Sequence, residues 1–404
     1  MTLTVRKDGG FIFEYGVDSL ILDPTNRSKG HNIFVSHAHS DHAAAFKYPE
    51  IPKYATMETV ELLEAMGWRE LGNYTGISVG DSISIGDLDV RVHNAGHILG
   101  SVMFEVHGPE ESILYTGDIS GGDSFNMELP EPVDCDMLLV ESTFGAPMFR
   151  FPKRRDVSLE MIRWAVMDVI PGGRIPTIKS DSIGNAQEII YAFNKMTNLP
   201  VVTAKSVTMI SDVYQSHGYE LEYIDSRSDE GQNLLDSGRC VLVTPKRSKA
   251  IRDNQETALA SGWAVIMNKR QRAFPLSDHA DFRSLIRFIR DCNPKRVLTF
   301  HGGSMTREFP KLIRKQLGID AKPLTSREET ARGTVYDNNQ RIRICSGHLM
   351  RTIRIPGFVY TRSWLVKEMG RRGFTKKETQ RSLDYLLERG ILKGDGDAVK
   401  MHSN

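Results

Sequence analysis

Ser36-His37-Ala38-His39-Ser40-Asp41-His42 follows directly on the short apolar run 32–36. Three imidazoles and a carboxylate therefore crowd into six residues at the end of an expected strand. Imidazole and carboxylate ligate zinc, manganese or iron. As mere packing the same stretch would be costly, because each buried polar group needs a partner. The four groups leave a strand end in different directions and do not easily serve one ion, so two metals are the natural reading.

Working outward, Asn94-Ala95-Gly96-His97 and Thr116-Gly117-Asp118 each follow an expected strand and set a ligand-type side chain beside a glycine, which permits a tight turn. Alone, His97 reads equally as a buried histidine and Asp118 as a turn aspartate. Beside the 37–42 cluster both become ligand candidates, and a carboxylate such as Asp118 can bridge two ions. Ser277-Asp278-His279-Ala280-Asp281 precedes an expected helix, and Phe300-His301-Gly302-Gly303 follows an expected strand. Spacing alone leaves His279 and His301 open between chemistry and structure. His93 and His107 are weaker candidates, and His93, on an expected strand, reads as packing or solvent-facing.

The first third of the chain is a series of short alternating runs (11–15, 19–22, 83–85, 89–93, 102–106, 113–115, 136–141) around a helical stretch at 54–67, with 102–106 and 113–115 forming a hairpin. From about 146 to 268 strand and helix patterns alternate: helices at 154–169, 183–196 and 207–217, strands at 174–178, 201–203, 241–244 and 264–267. Helices are expected again at 281–291 and 309–317 around a strand at 297–300, while 320–357 has no secure pattern. At the end, Thr375 with Glu378 spells a capping box before a helix at 376–389, and 391–392 can pair with 399–401. The division predicted is 1–145 and 269–355 as two parts of one domain, 146–268 as an insert, and 356–404 as a small winged-helix-like unit.

The 404 residues exceed one ordinary domain, and 40% apolar with 25% charged residues is usual for a globular protein. No run of 18 apolar residues predicts a membrane span, so no membrane partner is expected. The first residues lack the apolar stretch of a signal peptide, which places the expectation in the cytoplasm. Cys135, Cys240, Cys292 and Cys345 are far apart and read as buried, reduced thiols. The net charge of +1 hides a basic tail: residues 346–404 hold 12 Lys or Arg against 6 Asp or Glu. Arg371, Arg372, Lys376, Lys377 and Arg381 make that tail a candidate nucleic-acid contact, with a dimerisation or docking module as the other reading.

SHAHSDHA (36–43), NAGHILGSVMFE (94–105), YTGDIS (115–120) and ESTFG (141–145), in that order, resemble the metallo-β-lactamase fold. ESTFG together with SDHAD (277–281) and FHG (300–302) resembles the β-CASP nuclease branch of that fold, over about residues 8–310. The resemblance implies an α/β, αββα sandwich with an inserted cap, and two zinc ions, with manganese as the other candidate. It implies that His37, His39 and His97 hold one ion, that Asp41, His42 and His301 hold the other, and that Asp118 bridges. Asp23, in the Asp23-Pro24 pair, would orient the histidine loop, Glu141 would support a ligand histidine, and His279 would contact the scissile phosphate and assist the leaving oxygen. The catalytic set is thus Asp118, His279 and Asp41. The segment 182–188 resembles a cap motif that holds a phosphate at a helix start, which makes Ser180, Ser182 and Gly184 phosphate candidates. Asn185 stands where many members carry arginine, and that puts a charged clamp in doubt.

Within the branch, TFGAPMFRFP (143–152) and LSDHADF (276–282) are similar to bacterial exonucleases associated with a DNA ligase, while GHILGSVMFE and YTGDIS are equally similar to RNA-processing members. His301 departs from the crosslink-repair members, which usually lack that histidine. No amino-terminal RNA-binding module of the kind many archaeal relatives carry is expected. The implied function is a binuclear-metal nuclease acting on single-stranded RNA or DNA, in RNA processing and exonucleolytic. DNA-end processing in repair and a small ester or thioester hydrolase are the alternatives. The reading leaves room for a homodimer and for repair or RNA-processing partner proteins.

Overall fold

The computed structural model describes residues 2–28, 30–122, 124, 127–267, 272–331, 338–353, 358–370, 372 and 374–401. Two seven-stranded sheets form its centre. The first runs Glu329–Thr330, Thr4–Lys7, Phe11–Tyr15, Asp18–Leu22, Asn32–Phe34, Lys53–Ala55, Tyr74–Gly76 across its width. The second runs Asp320–Pro323, Arg296–Phe300, Met137–Glu141, Ser112–Tyr115, Val102–His107, Leu88–Asn94, Ser82–Ile85. The period-2 pattern of the strands decides how the sheets stack. Phe11, Phe13, Leu20, Leu22 and Phe34 point inward against Val92, Phe104, Tyr115 and Phe300 of the second sheet. Ile12, Ile21 and Ile33 point the other way, onto the turn Ala43–Lys47 and the helix Met57–Ala65. Leu114, Leu138 and Val140 likewise meet Leu285 and Ile289 of the helix Phe282–Asp291 and Phe309 and Ile313 of the helix Met305–Leu317. Helix, sheet, sheet, helix is the expected αββα order.

The insert folds around a six-stranded sheet that is parallel throughout. Its central strand Val241–Pro245 is an unbroken apolar run up to Val243, as a strand buried on both faces requires. The helices Arg154–Arg163, Asn185–Met196 and Lys205–Ser216 contribute Met161, Ile189, Ile190 and Ile210 to a core continuous with the outer face of the first sheet.

Several expectations change. The stretch 264–267, read as a strand, lies in the short helix Gly262–Ile266; the strand is Gln255–Ala260, whose mixed QETALA pattern hides it. Ala273–Phe274 still pairs into the cap sheet, so that sheet reaches beyond residue 268. The unassigned region supplies an edge strand to each large sheet, Asp320–Pro323 and Glu329–Thr330, and then the helix Asn338–Thr352. That helix places Cys345 and Leu349 in one core with Leu365, Met369, Leu383, Leu386 and Val399. The carboxy-terminal unit therefore begins near 338, not 356. Its other elements are the helices Arg362–Gly370 and Lys376–Glu388, the latter with the expected Thr375–Glu378 capping box, and a three-stranded sheet of Tyr360–Thr361, Ala398–Met401 and Leu392–Asp395. All four cysteines are buried and free.

Candidate metal centre and cleft

Every expected ligand leaves the same edge of the sandwich, each from the end of a strand. His37, His39, Asp41 and His42 follow Asn32–Phe34; His97 follows Leu88–Asn94; Asp118 follows Ser112–Tyr115; His301 follows Arg296–Phe300. His301 adopts φ +50°, and a Cβ on the next residue, Gly302, would lie 2.3 Å from the Ser142 carbonyl oxygen. Glycine is required for that close approach.

Ligand atoms of His37, His39, His97 and Asp118 lie within 4.8 Å of one another, and so do those of Asp41, His42 and His301. Asp118 reaches both groups: its Oδ2 lies 3.6 Å from His37 Nε2, 3.5 Å from His42 Nε2 and 3.9 Å from His97 Nε2, and its Oδ1 lies 3.8 Å from His301 Nδ1. Asp41 Oδ2 is 3.4 Å from His301 Nε2. His37 Nε2, His42 Nε2 and Asp118 Oδ1 are buried without a hydrogen-bond partner among the described residues. Buried nitrogens and a carboxylate oxygen without partners, set within these two ligand groups, fit bound cations, which would satisfy them.

Electrostatics agree with that fit. Burial and the neighbouring imidazoles hold His37 and His97 well below the ordinary histidine value, and bring His39 to about 3, so these rings are neutral donors. His42 goes the other way: burial pushes it down, but Asp118 and Asp23 outweigh burial and raise it to about 9. A cation binding at His42 therefore displaces a proton. Burial raises Asp118, against the pull of His42.

The supporting residues are as specific as the ligands. Asp23 accepts from His42 Nδ1 at 2.7 Å, from the Ser36 N–H at 2.7 Å, from Ser36 Oγ at 2.6 Å and from the Tyr115 hydroxyl at 2.7 Å. His37 Nδ1 meets Ser36 Oγ at 2.9 Å, and His97 Nδ1 meets the Asp278 carbonyl at 3.2 Å. Glu141 differs from its expected role. Its hydrogen-bonded histidine is His279: both its oxygens lie 3.1 Å from His279 Nδ1, and its Oε1 also accepts from the Ile119 N–H at 2.9 Å. The reason is topological: the chain re-enters from the cap beside Met137–Glu141 and brings His279 over it. Burial pushes Glu141 up, but His279, Thr143 and Ile119 outweigh it and bring the carboxyl to about 2.

Above the ligands opens a cavity of about 290 Å³. Its cap wall is built from the carboxyl ends of the parallel strands, where ligands of such sheets bind. Asp181 follows Ile175–Ser180, Lys246 follows Val241–Pro245, Trp263 follows Gln255–Ala260, and Asp278 and His279 follow Ala273–Phe274. Lys246 pairs with Asp181 at 2.5 Å, and half-exposed Trp263 packs on Phe144 at 5.2 Å. Sequence reading missed Lys246, Trp263 and Asp278. Asp278 alone carried a signal, since it sits inside the SDHAD motif.

None of the three phosphate candidates lines the cavity. Ser180 Oγ donates to the Asp181 carbonyl, Ser182 is bonded through its own carbonyl to Gln187, and the Gly184 N–H donates to Gln187 Oε1 at 2.9 Å. Gln187 thus closes the helix start from inside, and Asn185 rather than Gly184 faces the cavity. In the tail, Arg371 lies outside the described residues, Arg372 is half-buried and pairs with Glu368 at 3.0 Å, and Lys376, Lys377 and Arg381 are exposed on one helix.

Residues 267–322 match the family model described as a Zn-dependent metallo-hydrolase RNA specificity domain. RNase aCSPSF2 of Saccharolobus solfataricus is 30% identical over 392 residues, covering 78% of this chain and 79% of its own. The chain belongs to the metallo-β-lactamase β-CASP nuclease family. An RNase J-like protein of Methanocaldococcus jannaschii is 25% identical over 344 residues, covering 67% of this chain and 81% of its own. A probable DNA ligase of Opitutus terrae is 31% identical over 299 residues, 71% of this chain, but the chain spans 28% of that ligase. A crystal structure of an Enterococcus faecalis protein of unknown function shares the fold with a TM-score of 0.57 at 14% identity, covering 81% of this chain and 99% of that one. The family is one of metal-dependent hydrolases, and no described helix is long and apolar enough to cross a membrane.

Proposed function

We propose that the protein is a binuclear zinc nuclease that hydrolyses phosphodiester bonds of single-stranded RNA. The observation that carries this reading is the pair of ligand groups, both within about 4 Å of Asp118, on the floor of a cleft roofed by the cap. His37, His39 and His97 would hold one ion and Asp41, His42 and His301 the other, with Asp118 common to both. Bound there, zinc supplies Lewis acidity and lowers the pKa of water, so that hydroxide is available near neutral pH. The chain's own residues do the rest. Asp23 fixes the tautomer and direction of His42, as carboxylates behind ligand histidines do. Glu141 holds His279 through Nδ1, which leaves Nε2 for the substrate, where it stabilises charge on the phosphoryl group or hands a proton to the leaving oxygen. Lys246 and Trp263 line the mouth with a cation for a phosphate and a ring for a base, a pairing suited to a single strand. Lys376, Lys377 and Arg381, on the winged-helix-like unit, are assigned a supporting hold on the strand.

RNA is favoured by relatives named as RNases over four fifths of their length. DNA is the second reading, favoured by the similarity to a probable DNA ligase. Matched end-labelled single-stranded RNA and DNA, with 5′-hydroxyl, 5′-phosphate and blocked 3′ ends, separate the two and report exonucleolytic action as a ladder from one end. Faster cleavage of RNA supports the proposal; cleavage of DNA alone replaces it with the second reading; turnover of small esters without either removes the nuclease reading.

A further inference from the structure

A second groove adjoins the cleft. A groove of about 350 Å³ lies on the other side of Ser277 and His279, which line both it and the metal cavity. One wall is the helix Phe282–Asp291, which presents Arg283 and Arg287 one turn apart on its exposed face. The facing wall carries Lys153, at the start of the helix Arg154–Arg163. None of these three cations has an ion-pair partner among the described residues. Arg154, which also lines the groove, is already committed: it meets Glu188 at 3.2 Å and the Ser277 carbonyl at 2.7 Å. The acid in the lining, Asp281, has both oxygens engaged, one by the Ser284 N–H at 2.8 Å and one by the Phe151 N–H at 3.1 Å.

Like charges one turn apart on a helix repel and weaken it slightly. A concave wall concentrates their field toward a mobile anion. Three cations without an ion-pair partner among the described residues, in a groove that His279 also lines, therefore fit a chain of phosphates leading to or from the scissile bond. From this geometry we infer that the groove holds the phosphodiester backbone of the nucleotides beyond His279. The inference rests on the nuclease reading and extends it to a second segment of the substrate.

The test is binding by the full, metal-loaded chain of a fluorescein-labelled single-stranded oligouridylate, long enough to span the metal cavity and the groove and carrying phosphorothioate linkages that resist hydrolysis. Affinity is measured by anisotropy across a salt series. The Arg283→Gln/Arg287→Gln double variant is expected to bind about tenfold more weakly, with a salt slope shallower by about 1.4, the loss of two single-strand phosphate contacts. The Arg283→Lys/Arg287→Lys variant keeps most of both. Arg69→Gln/Arg239→Gln removes the same charge from exposed positions elsewhere and leaves both unchanged. Unaltered affinity and slope in the glutamine variant, or an equal loss in the Arg69/Arg239 control, would overturn the groove. The nuclease reading fails separately, if the wild-type chain binds the strand with its full slope but leaves the ordinary phosphodiester version uncut.

Discussion

Asp23 and His301 both sit in the left-handed backbone region, at φ +44° and +50°. Side chains rarely adopt it, and such strain costs on the order of 1–3 kcal/mol per residue. Here it falls on one ligand candidate and on the carboxylate behind another. Replacing Asp23 by Asn keeps the shape but withdraws the charge that holds His42 Nδ1–H; metal affinity should fall about 10- to 100-fold, read by competition with a chromogenic chelator. Unchanged affinity would remove Asp23 from the site. Glu141→Gln should leave bound metal unaltered and lower kcat by about 100-fold, because its partner is His279 rather than a ligand; loss of metal in that variant would restore the role first expected of it. At this scale the grouping of the candidate ligands was legible because imidazoles and carboxylates clustered in motifs. Lys246 and Trp263 were not, because each is a lone polar or aromatic residue just past a strand, and only the parallel cap sheet brings the two strand ends to one cleft.

At the scale of elements, period-2 patterning located most sandwich strands, and short or mixed ones escaped: Thr4–Lys7, Lys53–Ala55 and Gln255–Ala260 bury too few apolar residues to stand out. The strand pair Leu88–Asn94 and Val102–His107 carries a polar trio that includes His93 and His107, the two weaker histidine candidates. His93 and His107 flank buried Glu105, at 3.0 and 2.8 Å. Burial pushes that carboxyl up, but the two imidazoles outweigh burial and hold it below the usual 4.5. A carboxylate depressed in the folded state contributes stability that is complete above its unfolded value and is lost as pH falls through the folded one. Wild-type unfolding free energy should thus decline on acidification below about pH 4.5, and Glu105→Gln should flatten that decline while costing about 1–2 kcal/mol at pH 7. Parallel urea-midpoint curves for the two proteins would contradict it. The cap of the helix Phe282–Asp291 is a second case: Asp281→Ala gives up bonds to both Ser284 and Phe151 and should cost about 1–2 kcal/mol, whereas an unshifted midpoint would leave the cap without weight.

At the scale of the molecule, the αββα order and the inserted parallel sheet were legible from motif order and from strand–helix alternation. The carboxy-terminal boundary was not, because the helix Asn338–Thr352 shows little beyond its surface until Cys345 and Leu349 meet a core formed by later residues. Removal of the tail should therefore succeed when the chain stops after residue 331, and a chain stopped at 355 should expose that apolar face and aggregate, as light scattering would report. Equal solubility of the two would place the boundary where the sequence first suggested. All the elements converge on Asp118, which touches both ligand groups. The most direct measurement is cleavage of end-labelled single-stranded RNA by the full chain and by its Asp118→Ala variant, each loaded with zinc. Cleavage by the wild type and none by the variant is the expected result; equal cleavage by both would contradict a nuclease built on this site.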